Sequence, residues 1–167
     1  CLGVGHGVVL KVATLSPEGS DWMKLLRQSA KKIDEETSGL VKLKIYSGGV
    51  MGDDKAVMRK MRVGQLQGAV LTSGGLVNSY KDIGVYGMPM LFRDQAEVDL
   101  VRSKMDTVLM KGLRSRGFVG FGMAGVGFAY PMSQDPATSV SEVRKKKIWA
   151  PDNDLGALKA FEAFGIS

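Results

Sequence analysis

Histidine and cysteine are almost missing from this chain, and their scarcity removes several kinds of chemistry. His6 is the only histidine and Cys1 the only cysteine among 167 residues. A disulfide within the chain and a zinc site built on cysteine are therefore excluded, and a metal site or catalytic triad built on histidine is close to excluded. Because no nucleophile is accompanied by a base, we predict that the chain is not an enzyme and uses no cofactor or metal.

Long hydrophobic runs are missing as well. No apolar stretch approaches the ~20 residues that a helix needs to cross a bilayer, and we expect no signal peptide within the sequence. Cys1 is either the lipid-modified cysteine of a mature lipoprotein or an arbitrary end of the sequence, and both alternatives remain open.

Charge is mixed rather than concentrated. The net charge is +6, but most charged residues lie with both signs together on predicted helices, which is typical of solvated helix faces. The one basic run, at 144–147, favours an exposed turn over a polyanion site. Since there is no nucleic-acid motif and no row of aromatic and basic residues, we predict no nucleic-acid partner.

The first part of the chain has the pattern of a β-α-β-α-β unit. Strands are predicted at 10–15, 41–46 and 68–73, and helices at 21–37 and from Asp53 or Asp54 to about residue 63. The alternation of apolar and basic residues at 41–46 indicates an edge or near-edge strand. We expect a parallel sheet whose ligands bind beyond the carboxyl ends of the strands. Leu15, Ser16, Thr72 and Ser73 lie on that rim.

The second part of the chain is less regular. Two short helices are predicted at 94–104 and 106–116, and a further helix at 154–164. The Gly-rich segment 118–132 is predicted as a long strand and 147–150 as a short one. Its glycines precede a strand-like run rather than a helix, which argues against a phosphate loop. Asp53 and Asp54 are interpreted as a helix cap and its dipole partner rather than a metal pair.

The order of these pieces resembles the solute receptors of TRAP (tripartite ATP-independent periplasmic) transporters. The resemblance rests on SPEGS at 16–20, SGGVMGDD at 47–54, VGQLQGA at 63–69, MPMLFRD at 88–94, GVGF at 125–128 and KKIWAP at 146–151. It implies an α/β fold of the periplasmic-binding-protein clamshell type. Lobe one, at 9–128, would be nearly complete with a mainly parallel sheet, and lobe two, at 129–167, would be truncated.

The resemblance also implies a function. The chain would belong to a periplasmic or extracytoplasmic receptor that binds a small molecule between two lobes and delivers it to integral-membrane transporter subunits. Exposed sheet edges and an incomplete second lobe would favour self-association of the fragment.

Two positions depart from the family pattern. The family usually binds a substrate carboxylate with two arginines, and those positions correspond here to Trp149 and Ala129. We therefore expect a partly hydrophobic ligand. The alternatives are a carboxylate held by another cation, such as Lys147, and a receptor-like interaction module without ligand. The predicted ligand-binding residues are Leu15, Ser16, Asp54, Thr72, Ser73, Phe128, Ala129, Tyr130, Trp149 and Asp152.

Overall fold

Three parallel strands form the sheet of the first part of the chain. The computed structural model describes residues 7–150 and 154–166. In it β1 (Val8–Thr14) lies between β2 (Val41–Tyr46) and β3 (Gly68–Val70). The predicted parallel β-α-β-α-β order is confirmed, and so is the outer position of β2. The third strand ends at Val70 rather than at 73, because Ser73 already begins a short helix, α3 (Ser73–Leu76).

The two crossover helices begin at the capping residues that the sequence indicates. Ser20 accepts a hydrogen bond from the Met23 amide at the start of α1 (Asp21–Glu36). Asp53 accepts one from the Ala56 amide at the start of α2 (Asp54–Arg62), at 2.8 Å. Such side-chain acceptors satisfy donors that a helix start leaves unpaired.

A small core lies between the sheet and α2. Its buried members are Ala13, Val57 and Leu66, with partly buried apolar neighbours around them. Burial of these side chains fixes α2 against the sheet, since apolar area removed from water is the main stabilising contribution in a fold of this kind. The packing holds the carboxyl ends of β1 and β3 in place.

The chain divides into two compact units between Gly75 and Leu76. In the second unit, the 3₁₀ helix Lys81–Gly87 packs on α4 (Gln95–Arg114) through Tyr80, Ile83, Leu109 and Leu113. This division reflects contacts within the chain and does not test the lobe boundary expected at 128/129, which stays a prediction.

One continuous helix replaces the two that were predicted at 94–104 and 106–116. Asp106 lies inside α4, where it accepts hydrogen bonds from Arg102 and from the Tyr86 hydroxyl. A mid-helix aspartate with such partners does not need to act as a cap. The sequence-based break at residue 105 is therefore wrong.

The two strands predicted in the second unit are also wrong. Residues 118–132 and 147–150 have no regular secondary structure and no ladder partner in the described part of the chain. Apolar side chains in the long segment stay in contact with solvent, Phe121 being 99% exposed. A strand exists only when its backbone groups pair with a neighbour, which hydrophobic patterning alone does not supply.

Two short helices complete the second unit. α5 (Val140–Val143) begins with a capping box between Ser139 and Glu142, and α6 (Leu155–Ala163) begins at Asp154, close to the predicted bounds. Among the residues that the structure describes, no helix is both long and apolar enough to span a membrane.

Candidate functional site

The carboxyl end of β1 continues into the first predicted rim residues. Leu15 is 40% exposed and Ser16 is half-buried. The Ser16 amide donates to the Thr14 hydroxyl at 3.1 Å, which turns the chain out of the strand. The rim therefore presents an apolar side chain beside a short polar one.

Two backbone hydrogen bonds join the loop after β1 to the loop after β2. The Gly48 amide donates to the Ser16 carbonyl at 2.9 Å, and the Gly49 amide donates to the Thr14 carbonyl at 3.2 Å. Both glycines have positive φ angles, 61° and 73°, which favour glycine over residues with a Cβ. The two loops thus form one continuous part of the rim.

Asp54 and Thr72, both predicted as ligand residues, are brought together within the first unit. The Thr72 hydroxyl donates to Asp54 Oδ2 at 2.5 Å and accepts from the Gly75 amide at 3.2 Å. Asp54 is fully buried, and its Oδ1 has no hydrogen-bond partner among the described residues. Gly75 covers it so closely that an added Cβ would lie 2.5 Å from the Asp54 Cβ. Thr72 remains exposed and Ser73 is half-buried.

The predicted site residues of the second unit lie in segments without regular structure. Phe128 is 40% exposed, Tyr130 76% and Trp149 82%, and Ala129 is exposed too. These four side chains are therefore in contact with solvent. Asp152 lies outside the described residues.

Sequence reasoning missed a charged cluster on the rim. Arg27 donates to Glu18 through Nε at 2.8 Å and Nη2 at 2.6 Å, and the Ser47 hydroxyl donates to the same carboxylate at 2.7 Å. The bonds from Arg27 and then from Ser47 lower the pKa of Glu18 to about 2. No local spacing signals this cluster, because its members come from two loops and a helix.

A groove in the second unit was missed as well. It has a volume of about 460 Å³ along α4 and the segment 118–123, and its lining includes Met110, Phe118 and Met123 as well as the cationic Lys111 and Arg114. In the described ranges, no group of three or more histidine, cysteine or carboxylate residues is arranged to hold a metal ion.

The parallel β-α-β-α-β sheet belongs to the α/β class, whose open sheets bind ligands beyond the carboxyl ends of their strands. The family model described as bacterial extracellular solute-binding protein, family 7, matches residues 12–167, and the chain belongs to that family. The YiiZ protein of Salmonella typhimurium is 23% identical over 140 residues, which are 82% of this chain and 42% of that protein.

Solved structures agree with the family and confirm the predicted fold. A TRAP periplasmic solute-binding protein from Pseudomonas putida F1 with bound D-glucuronate matches with a TM-score of 0.86 and 21% identity, over 96% of this chain and 53% of that one. One from Xanthobacter autotrophicus with bound β-D-galacturonate matches with a TM-score of 0.85 and 21% identity, over 95% and 53%. The chain spans about half the length of these proteins.

Proposed function

We propose that this chain forms the N-terminal part of an extracytoplasmic solute receptor of a TRAP-type secondary transporter. The observation that carries the proposal is the family match over residues 12–167, supported by the parallel sheet and its rim. The receptor binds a small molecule between two lobes, 9–128 and the lobe that starts at 129. Closure of the lobes on the ligand presents a new surface to integral-membrane transporter subunits.

The ligand in this proposal is small and partly hydrophobic. Trp149 and Ala129 stand where the family usually has arginines, and neither can form the two parallel hydrogen bonds that a guanidinium offers a carboxylate. Phe128, Tyr130 and Trp149 are exposed within their unit, so their rings are available to an apolar ligand surface.

The residues of the first unit have separate roles in the proposed site. Leu15, Ser16 and Ser73 border the ligand, and Thr72 offers it the remaining lone pair of its hydroxyl oxygen. Asp54, which is fully buried, acts through Thr72 by holding that hydroxyl in place. Cys1 lies outside the described residues, and its lipid modification stays a prediction.

Calorimetric titration of the complete receptor polypeptide tests the ligand class, together with native mass spectrometry of any compound that copurifies. We expect a copurified compound with an apolar part and weak binding of succinate and D-glucuronate. Tight binding of succinate would rule out the hydrophobic ligand. A receptor that copurifies with nothing and binds nothing would instead favour the interaction module.

A second candidate is a receptor for sugar acids that uses a different cation. It is favoured by the bound D-glucuronate and β-D-galacturonate of the matched structures. Lys147, two positions before Trp149, is the cation that this candidate requires. Lys147→Gln would then abolish D-glucuronate binding, whereas Lys145→Gln, which removes the same charge nearby, would leave it unchanged.

A further inference from the structure

One exposed carboxylate on the rim, Glu18, accepts hydrogen bonds from two other elements. Glu18 accepts two hydrogen bonds from Arg27, in the parallel arrangement that makes arginine–carboxylate pairs strong and directional. Its Oε2 also accepts the Ser47 hydroxyl at 2.7 Å. The Glu18 side chain is 56% exposed and that of Arg27 49%, so geometry rather than burial distinguishes this pair.

The positions of the partners in the chain make this cluster a tertiary link. The other ion pairs of α1 join residues three or four positions apart, which stabilise the helix alone. Glu18 and Arg27 are nine positions apart, and Glu18 and Ser47 are 29 apart. One carboxylate therefore connects the loop after β1, the helix that follows it and the loop after β2.

These are the two loops that the Gly48 and Gly49 amides already join. The backbone bonds lie beside the strand ends, and the Glu18 cluster is a second attachment between the same loops. The two backbone bonds and the bond from Ser47 to Glu18 therefore restrain the same pair of loops at different residues.

We infer that Glu18, held by Arg27, is the positioning residue that sets the spacing of the two rim loops on which the ligand is received. The part of this inference that concerns the ligand rests on the proposed function. The part that concerns the spacing of the loops does not. Arg27 orients the carboxylate and Ser47 is the point at which the second loop is held. A rim whose loops are fixed before binding loses less conformational freedom when a ligand arrives.

Hydrogen exchange in the complete receptor tests the spacing without any ligand. Glu18→Gln should make the peptide with Gly48 and Gly49 exchange about fivefold faster, at the upper end of what exposed pairs contribute. Arg27→Lys keeps the charge but loses the paired geometry, and Ser47→Ala loses one bond, so both should act in the same direction with smaller effect. Glu35→Gln removes an equal charge from α1 and should change nothing at this peptide.

Exchange in the core strand β1 separates positioning from general stability. We expect Glu18→Gln to melt somewhat below Glu35→Gln, because it loses the stabilising bonds to Arg27 and Ser47, but to speed exchange at Gly48 and Gly49 by more than exchange in β1. Equal exchange in these two variants would overturn the inference. If Glu18→Gln does not fold, Ser47→Ala decides the matter, and wild-type exchange in that variant would overturn it equally.

Titration with D-glucuronate and with succinate distinguishes two outcomes. In one, Glu18 does not set the loop spacing; in the other, the proposed function is wrong. A wild-type receptor that binds neither acid removes the sugar-acid candidate, while the exchange result still decides the spacing. If either acid binds, Glu18→Gln should weaken it about fivefold. Affinity unchanged by that substitution would remove the cluster from the ligand site.

Discussion

At the scale of the single residue, two carboxylates of the first unit lie in opposite environments. Glu18 is exposed and accepts three hydrogen bonds from Arg27 and Ser47. Asp54 is buried and accepts one side-chain bond, from Thr72. The exposed carboxylate thus accepts more hydrogen bonds than the buried one, so acid should act on Glu18 and loss of the Thr72 hydroxyl on Asp54.

Acid should weaken the first unit through Glu18. Its pKa is lowered from 4.5 to about 2 by the Arg27 and Ser47 hydrogen bonds. Because the unfolded chain binds this proton first, the stabilising contribution is complete above pH 4.5 and is lost as the pH falls towards 2. Urea unfolding at pH 6 and pH 3 should show a larger loss in the wild type than in Glu18→Gln. An equal loss would contradict the assignment.

Thr72→Val should destabilise the fold because it removes the donor from the buried Asp54 carboxyl. A buried polar group left without its partner costs about 1–3 kcal/mol, which denaturant midpoints measure readily. Thr72→Ser keeps the hydroxyl and loses only a methyl group, so it is the matched control, with an expected loss of less than about 1 kcal/mol. Equal losses in both variants would show that the methyl group matters rather than the hydrogen bond.

At the scale of the element, features that depend on neighbouring residues in the sequence were predicted, whereas features that depend on tertiary contacts were not. The start of α2 was predicted at Asp53 or Asp54, and Asp53 is the cap, since a capping side chain needs only the next turn of helix. The break expected at residue 105 failed because Asp106 has partners on the 3₁₀ helix and within α4 that no local pattern reveals. The strand expected at 118–132 failed because strands depend on a neighbour.

The candidate site likewise has features that the sequence predicts and features that only tertiary contacts create. The carboxyl-end position of Leu15 and Ser16 follows from parallel topology, so the sequence predicts it. The burial of Asp54 beneath Gly75 and the link from Glu18 to Ser47 depend on side chains that meet only after folding. The ligand roles of the predicted residues remain predictions.

Gly112→Ala in α4 should lower stability although alanine is the better helix former. An added Cβ would meet the ring of Tyr80, which is buried and also lies 4.2 Å from the Arg116 guanidinium. Overpacking costs about 1–3 kcal/mol and outweighs the roughly 1 kcal/mol gained in helix propensity. Thermal unfolding of Gly112→Ala beside Gly122→Ala, where a Cβ meets nothing within 4 Å, is the measurement. A stabilised Gly112→Ala would refute this packing.

At the scale of the whole molecule, each of the two units has a small buried core of its own. The second unit also contains long irregular segments whose apolar side chains stay exposed. The chain also spans only about half of the matched receptors. The complete receptor is therefore the right material for every ligand measurement.

Restoring an arginine should change the ligand preference of the complete receptor. Ala129→Arg or Trp149→Arg is expected to raise D-glucuronate affinity about tenfold, the value of one charge-assisted hydrogen bond of ordinary strength. Phe121→Arg adds the same charge to an exposed position outside the predicted site and is the control. Calorimetry at matched ionic strength measures the effect. An equal gain in all three variants would indicate general attraction instead.

The two edge strands of the sheet differ in charge. β2 carries Lys42 and Lys44, and charged side chains on an outer strand oppose pairing with another chain. β3 is Gly68–Val70, three uncharged residues with Val70 42% exposed. Any additional strand, from the same polypeptide or from a neighbouring molecule, should therefore join beside β3, so that the sheet grows in one direction only.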